Sequence, residues 1–526
     1  MPTLDIQSEN PSSQVIFTFE GGLEITPFNT VLPSGTYEVE MPLVEREVNE
    51  GGAMGMNTID TFSDVRVRLR WQRKIFYGEG RFWVFWNKFY NQVYFKSSID
   101  GINWTAGTFV AWSNYEWGET FNVVWRRPYV YVFVKRSADV YYLRGVPHSN
   151  GTITFPYAET ACFGTSGPWK ADSYGGVDSD GYPFCIWSWG EWIGSIYPRI
   201  TKSTTRETFT RASGYPFMLS ASANGPSTGI IALKNKDMLA MYCNGNAVIR
   251  GKMYDYSANQ WLAEEICSTN AVREQYAFGD ESWSWSFVLD NAGDVHLVFL
   301  DTSHRIRYRV RNYQTGQWNT EVTLFTPGNR YGHPYITYDK RTDDLWVFWP
   351  NVNDEKIYYI RKRNGLWTSP VAWIYAPDTL ATSGTDGEYD CIFTTSEFVD
   401  EGKLCIAYVT GTTSPWKHRF DYLDLRLRFF RKWIEDGSVS QVKNIVLTSN
   451  PATWTAYFVD LVCHEELSLD PRVTKFGVKF LETLSLAPRY ILTHPRMAYR
   501  AIVYLHNKVV SGKYRLRIKT RRRVDD

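Results

Sequence analysis

The chain of 526 residues has no uninterrupted apolar stretch near the roughly 18 residues that a membrane-crossing helix needs, so no membrane span is expected. Its start, Met1 to Asn10, offers neither a basic region nor an apolar core, and no secretory leader is expected. Charge of one sign is missing too: 57 Lys and Arg face 56 Asp and Glu, which removes the field of a general nucleic-acid binder. Cysteine is sparse, seven residues without a CxxC pair, so neither a disulfide framework nor a zinc cluster is expected, and positions such as Cys185 and Cys405 read as buried thiols. The eight His have no metal-ligating spacing, and Cys463-His464-Glu465 on a strand would turn Cys463 and His464 to opposite faces. Nucleophile-elbow, phosphate-loop, HExxH and dinucleotide patterns are absent, and no cofactor is expected.

Aromatics, by contrast, reach 16%, with 22 Trp, 34 Tyr and 30 Phe, and they recur with a period. Runs of the type FWVFW begin at Phe82, Val130, Phe184, Leu239, His296, Leu345 and Cys405. Their fourth residues, Phe85, Phe133, Trp187, Tyr242, Phe299, Phe348 and Tyr408, are spaced 48, 54, 55, 57, 49 and 60 apart. A period of about 40 to 60 residues is that of a β-propeller with four-stranded blades. After each run and a polar turn comes a second run of alternating apolar and polar residues, from Val93, Val140, Ile196, Val248, Ile306, Ile357 and Arg419, as a half-buried strand requires. The fold class is therefore all-β: a seven-bladed propeller over 65–432, with six or eight blades as alternatives. Blades are expected at 65–115, 118–165, 169–215, 220–270, 276–327, 331–377 and 386–432. Residues 1–60 form an N-terminal β segment that closes the ring or joins a terminal sandwich, and 439–526 form a C-terminal β-sandwich.

After the second run a turn often ends in Trp: Ser98 to Trp104, Ser257 to Trp261, Gln314 to Trp318 and Arg363 to Trp367. Ser98, Asp100, Gly101 and Trp104 fit a short variant of S-x-D-x-G-x-x-W, and here the chain resembles the Asp-box (BNR repeat, sialidase-like) β-propellers. The resemblance implies an architectural role for these four residues on the outer rim. It also raises the chemistry of sialidases, which need an arginine cluster, a Tyr nucleophile with its Glu, and an Asp. Their early arginine motif is missing, and the nearest match, Tyr197-Pro198-Arg199-Ile200, falls on an outer strand of the third blade.

Channel-lining segments are expected at 121–127, 169–175, 281–287, 332–337 and 388–393. From them Trp125, Trp169, Trp283, Trp285 and Tyr335 could stack on sugar rings, with Arg126, His333, Glu281 and Asp390 supplying hydrogen bonds or charge. Core packing between blades is the competing use of each aromatic. Asp172, Glu281 and Asp390 are the carboxylates open to a glycosidase, whose separation would decide the outcome. Separately, Lys513, Arg515, Arg517, Lys519 and Arg521 alternate with apolar residues, a basic stripe on one face of a last strand. It suits docking to an acidic partner, phosphate or nucleic acid, the one place where nucleic acid is expected to bind, or plain solvation.

These readings lead to a non-enzymatic structural or binding protein, a virion decoration, tail or attachment component that presents its propeller to a glycan or protein. It would be made in the cytoplasm and act in a virion or cell-surface assembly, as an oligomer built through its terminal regions. The alternative is a glycoside hydrolase or polysaccharide lyase with its site in the channel.

Overall fold

The computed structural model describes residues 73–433 except 89–91, 114–120, 137–138, 165–172, 190–196, 222–227, 245–246, 273–274, 278–279, 283–284, 327–333, 352–355, 364, 376–392 and 412–414, and elsewhere the strands between 3 and 62 and between 442 and 460. The chain falls into two compact units, Val48–Leu425 and Met1–Glu47 with Arg426–Asp526.

The first unit is a propeller of seven blades. Ile75–Gly78, Arg81–Lys88, Gln92–Ser98 and Thr108–Trp112 pair antiparallel in chain order to make blade 1. The order repeats from Phe121–Arg126, Ser173–Val177, Thr228–Ala232, Trp285–Leu289, Tyr335–Asp339 and Phe393–Thr395, the first strands of blades 2 to 7. All seven FWVFW-type runs fall on the second strands: Arg81–Lys88, Tyr129–Arg136, Pro183–Trp189, Met238–Cys243, Val295–Leu300, Asp344–Asn351 and Lys403–Thr410. These strands are covered by neighbouring blades on both faces, so they are apolar without alternation, as in Met238–Cys243, buried at every position. The third strands alternate and the outermost are largely exposed, as in Gln260–Ile266. Trp83, Trp86, Trp187, Trp346 and Trp349 are fully buried. Each indole removes roughly 150–250 Å² from water, about 4–6 kcal/mol of transfer free energy at about 25 cal/mol per Å².

The ring closes through a strand from the other end of the chain. Asn57–Phe62 runs antiparallel beside Trp416–Phe420 as the outermost strand of blade 7.

Four channel-lining strands lie downstream of where the sequence suggested. The first strands of blades 3, 5, 6 and 7 begin at Ser173, Trp285, Tyr335 and Phe393. Glu281 belongs instead to a separate hairpin, Gln275–Ala277 with Asp280–Ser282. Where blades crowd together near the axis, particular first-strand positions are glycine and accept a ring from a neighbour. A Cβ on Gly175 would stand 1.9 Å from the Phe133 ring. The Asn122 side chain brackets the same glycine, accepting from its N–H and donating to its C=O, both at 2.8 Å.

In the second unit Thr3–Ser8 pairs parallel with Ala452–Asp460, and Gly35–Glu40 antiparallel with Val442–Leu447, so both ends of the chain share sheets. The basic stripe from Lys513 to Arg521 and most of the expected C-terminal sandwich lie outside the described residues. Among the described residues no helix is long and apolar enough to cross a membrane, and no group of His, Cys, Asp and Glu is placed to hold a metal. Cys162, Cys185, Cys243, Cys267 and Cys405 are buried free thiols.

Candidate functional site

The axis of the ring is occupied by arginine. Arg73, just before blade 1, is buried and reaches across the channel to three blades. Its Nη1 donates to Thr395 Oγ1 at 2.6 Å in blade 7, and its Nη2 to Ser286 Oγ at 3.0 Å in blade 5 and to the Ile336 carbonyl in blade 6. Its guanidinium also lies 5.4 Å from the centre of the Tyr335 ring. Beside it Arg126, ending the first strand of blade 2, grips Glu397 of blade 7 with both prongs, Nη1 to Oε2 and Nη2 to Oε1, each 2.9 Å. Burial pushes Glu397 up, but the charge of Arg126 and its hydrogen bonds outweigh that, and the carboxyl sits below its ordinary value. Next to this pair lies a space of about 20 Å³ lined by residues that include Tyr174, Ile230, Phe287 and Glu397, room for about one water.

At the mouth where first strands turn into second strands, blades 1, 2, 6 and 7 surround a cleft of about 170 Å³. Its lining includes Trp125, Glu79, Arg127, Lys340, Asp400 and Glu401. One face of the Trp125 indole lies on Gly78, where a Cβ would stand 2.5 Å from the ring, and the indole stacks on Phe76 with centroids 4.8 Å apart. Arg127 is 67% exposed and spans two carboxylates, Glu79 at 3.1 Å and Glu401 at 3.8 Å. Lys340 Nζ sits 3.3 Å above the Phe398 ring. Asp400 makes no side-chain hydrogen bond or ion pair with any described residue. Burial pushes it up to about 6, against the pull of Lys340 and Arg126 and with Glu397 and Glu401 adding to the rise.

Strand polarity separates the residues singled out from the sequence. Trp125 and Arg126 stand at the downstream end of a first strand, in the cleft. Trp285 and Tyr335 open the first strands of blades 5 and 6, at the opposite end, where both are buried: Trp285 packs on Phe287 at 5.6 Å and Tyr335 on Phe393 at 4.7 Å. Trp169, Trp283, His333, Asp172 and Asp390 lie outside the described residues, and for Glu281 the backbone alone is described. Sequence reasoning missed Arg73, Glu79, Arg127, Lys340, Glu397, Asp400 and Glu401. A signal for two of them existed: Glu79-Gly80 and Glu401-Gly402 are two-residue turns with positive φ at all four positions, 54° and 72°, then 49° and 87°.

The Ser98–Trp104 hairpin is built as a rim fixture. Asp100 Oδ1 accepts from the Ile102 and Asn103 amides, both at 2.8 Å, and from Ser98 Oγ at 2.9 Å. Gly101 is left-handed at φ 73° and donates to Ser98 Oγ, while Trp104 meets Phe420 of blade 7 edge-on at 5.0 Å.

No protein family and no curated protein matches the chain. Among solved structures it is similar to the BP39L lectin from Burkholderia pseudomallei, at 11% identity and a TM-score of 0.47 over 67% of this chain and 99% of that one. It is also similar to an Aleuria aurantia lectin (10%, 0.36, 56% and 91%) and to an ulvan lyase of a new polysaccharide lyase family (10%, 0.37, 65% and 93%). Identities and scores of this size transfer no function.

Proposed function

We propose that this propeller is a non-enzymatic carbohydrate-binding module whose site is the cleft at the blade 1, 2, 6 and 7 mouth. The observation that carries the reading is the filled axis: Arg73 and the Arg126–Glu397 pair occupy the space that a polysaccharide would need between an acid and a base in the channel. The cleft, at about 170 Å³, is smaller than the roughly 300 Å³ at which drug-sized pockets begin, and it has an indole for a wall and charged groups around it. That combination suits one sugar ring, stacked through its apolar face and held by hydrogen bonds at its edge. As part of the same proposal, the ring is the attachment element of a larger assembly, a virion among those expected from the sequence, with the unit that gathers both chain ends as its anchor.

A glycan array read for binding and for released product tests the first part. Binding without release, weakened at least tenfold by Trp125→Ala, is expected. Product release overturns the non-enzymatic reading, and binding indifferent to Trp125→Ala overturns this cleft as the site. For the second part, a chain truncated at about residue 435 should fail to assemble.

A further inference from the structure

Charge within the cleft is unevenly committed. Arg126 is spent on Glu397 through both prongs. Lys340 rests on Phe398. Arg127 is an exposed arm whose two contacts, 3.1 and 3.8 Å, are of the solvent-screened surface kind that contributes little, so it can swing away at little cost. Three carboxyl groups then face the space beside Trp125, namely Glu79, Asp400 and Glu401, and Asp400, although within the field of Lys340 and Arg126, makes no side-chain hydrogen bond or ion pair with a described residue.

Resting on the carbohydrate reading above, we infer that the sugar recognised by this cleft carries a free amine: a hexosamine residue whose ammonium takes the place of Arg127 between Glu79 and Glu401 and pairs with Asp400. An anionic sugar would meet three carboxyl groups with the best-placed guanidinium already engaged. A neutral or N-acetylated one would leave the Asp400 carboxylate facing weaker donors than an ammonium. The indole wall and the acidic edge are the two halves such a residue needs, an apolar ring face and a cationic substituent.

Isothermal titration of the full chain at pH 6.5 with glucosamine, N-acetylglucosamine, glucose and glucuronate tests this without any variant. Glucosamine is expected to bind at least tenfold more tightly than the other three, with the excess falling steeply as salt is added. Asp400→Asn, which keeps shape and removes charge, should bring the glucosamine-to-glucose affinity ratio to within about twofold of one. Binding of glucose or glucuronate equal to or tighter than that of glucosamine overturns the amine inference and leaves the carbohydrate reading standing. If none of the four sugars binds, the carbohydrate reading falls with it.

Discussion

The guanidinium of Arg126 and the carboxylate of Glu397 lie face to face across the mouth of the ring, 271 residues apart in sequence and joined by two bonds of 2.9 Å. They tie the second blade to the seventh. Removing one partner leaves the other charge desolvated. Because the two side chains keep 31% and 19% of their surface, the cost falls below the roughly 3–5 kcal/mol of a fully buried pair. Glu397→Gln should therefore destabilise the ring by about 1.5–3 kcal/mol, seen as a lowered urea midpoint, and a midpoint unchanged from wild type would refute the clamp.

Arg73 makes the stronger case. Its donors satisfy acceptors on three blades, and a lysine offers a single point charge that cannot span them. Both Arg73→Lys and Arg73→Met should lower the urea midpoint, by amounts within about 1 kcal/mol of each other. Full rescue by lysine would mean that charge alone holds the axis.

On the rim, Trp104 and Asp100 divide the work unequally. Trp104→Ala removes the ring that meets Phe420 and should cost about 2–3 kcal/mol, short of the roughly 3–5 for a fully buried aromatic. Asp100→Ala loses amide bonds that water can replace, and under about 1 kcal/mol is expected. The order of the two, measured by chemical denaturation, is the test.

Asp421 sets a pH dependence of unusual sign. Burial pushes it up to about 7, held back by the hydrogen bond from Tyr408 at 2.7 Å and by the charge of Arg419. A carboxyl raised in the folded state contributes stability that is present below its unfolded value near 4 and lost as pH rises through 7. His418, pushed down to about 3 by burial and by Lys96 and Lys74, acts oppositely, with stability present above about 6.5 and lost as pH falls. Asp421→Asn leaves His418 in place, so the difference between variant and wild type isolates the carboxyl. Stability of the variant relative to wild type should rise between pH 5 and pH 8 by up to about 2.5 kcal/mol, and a flat difference would contradict it.

The ring was legible because covered strands must be apolar throughout: Phe82 to Trp86 and Leu345 to Trp349 announce their burial in composition alone. First strands hid theirs, since Gly175, Gly229 and Thr394 are small where blades crowd the axis, and the eye settles on nearby aromatics such as Trp169 and Trp283. The cleft was harder still. Its residues come from turns of four blades, and nothing local marks Glu397 as the mate of Arg126 or Asp400 as a neighbour of Trp125. Only Trp125 and Arg126 were reached in advance, through their place at the end of a well-defined strand.

Closure of the ring by Asn57–Phe62 has a consequence during synthesis. Thr58 accepts a hydrogen bond from Arg419, a partner 361 residues later in the chain. At about 5–20 residues per second, that strand waits roughly 20–70 s on the ribosome before its mate is made. Through that interval it is an open edge beside half-finished blades of exposed tryptophan, and a chaperone that masks it should raise the yield of closed rings more than it raises the amount of chain made.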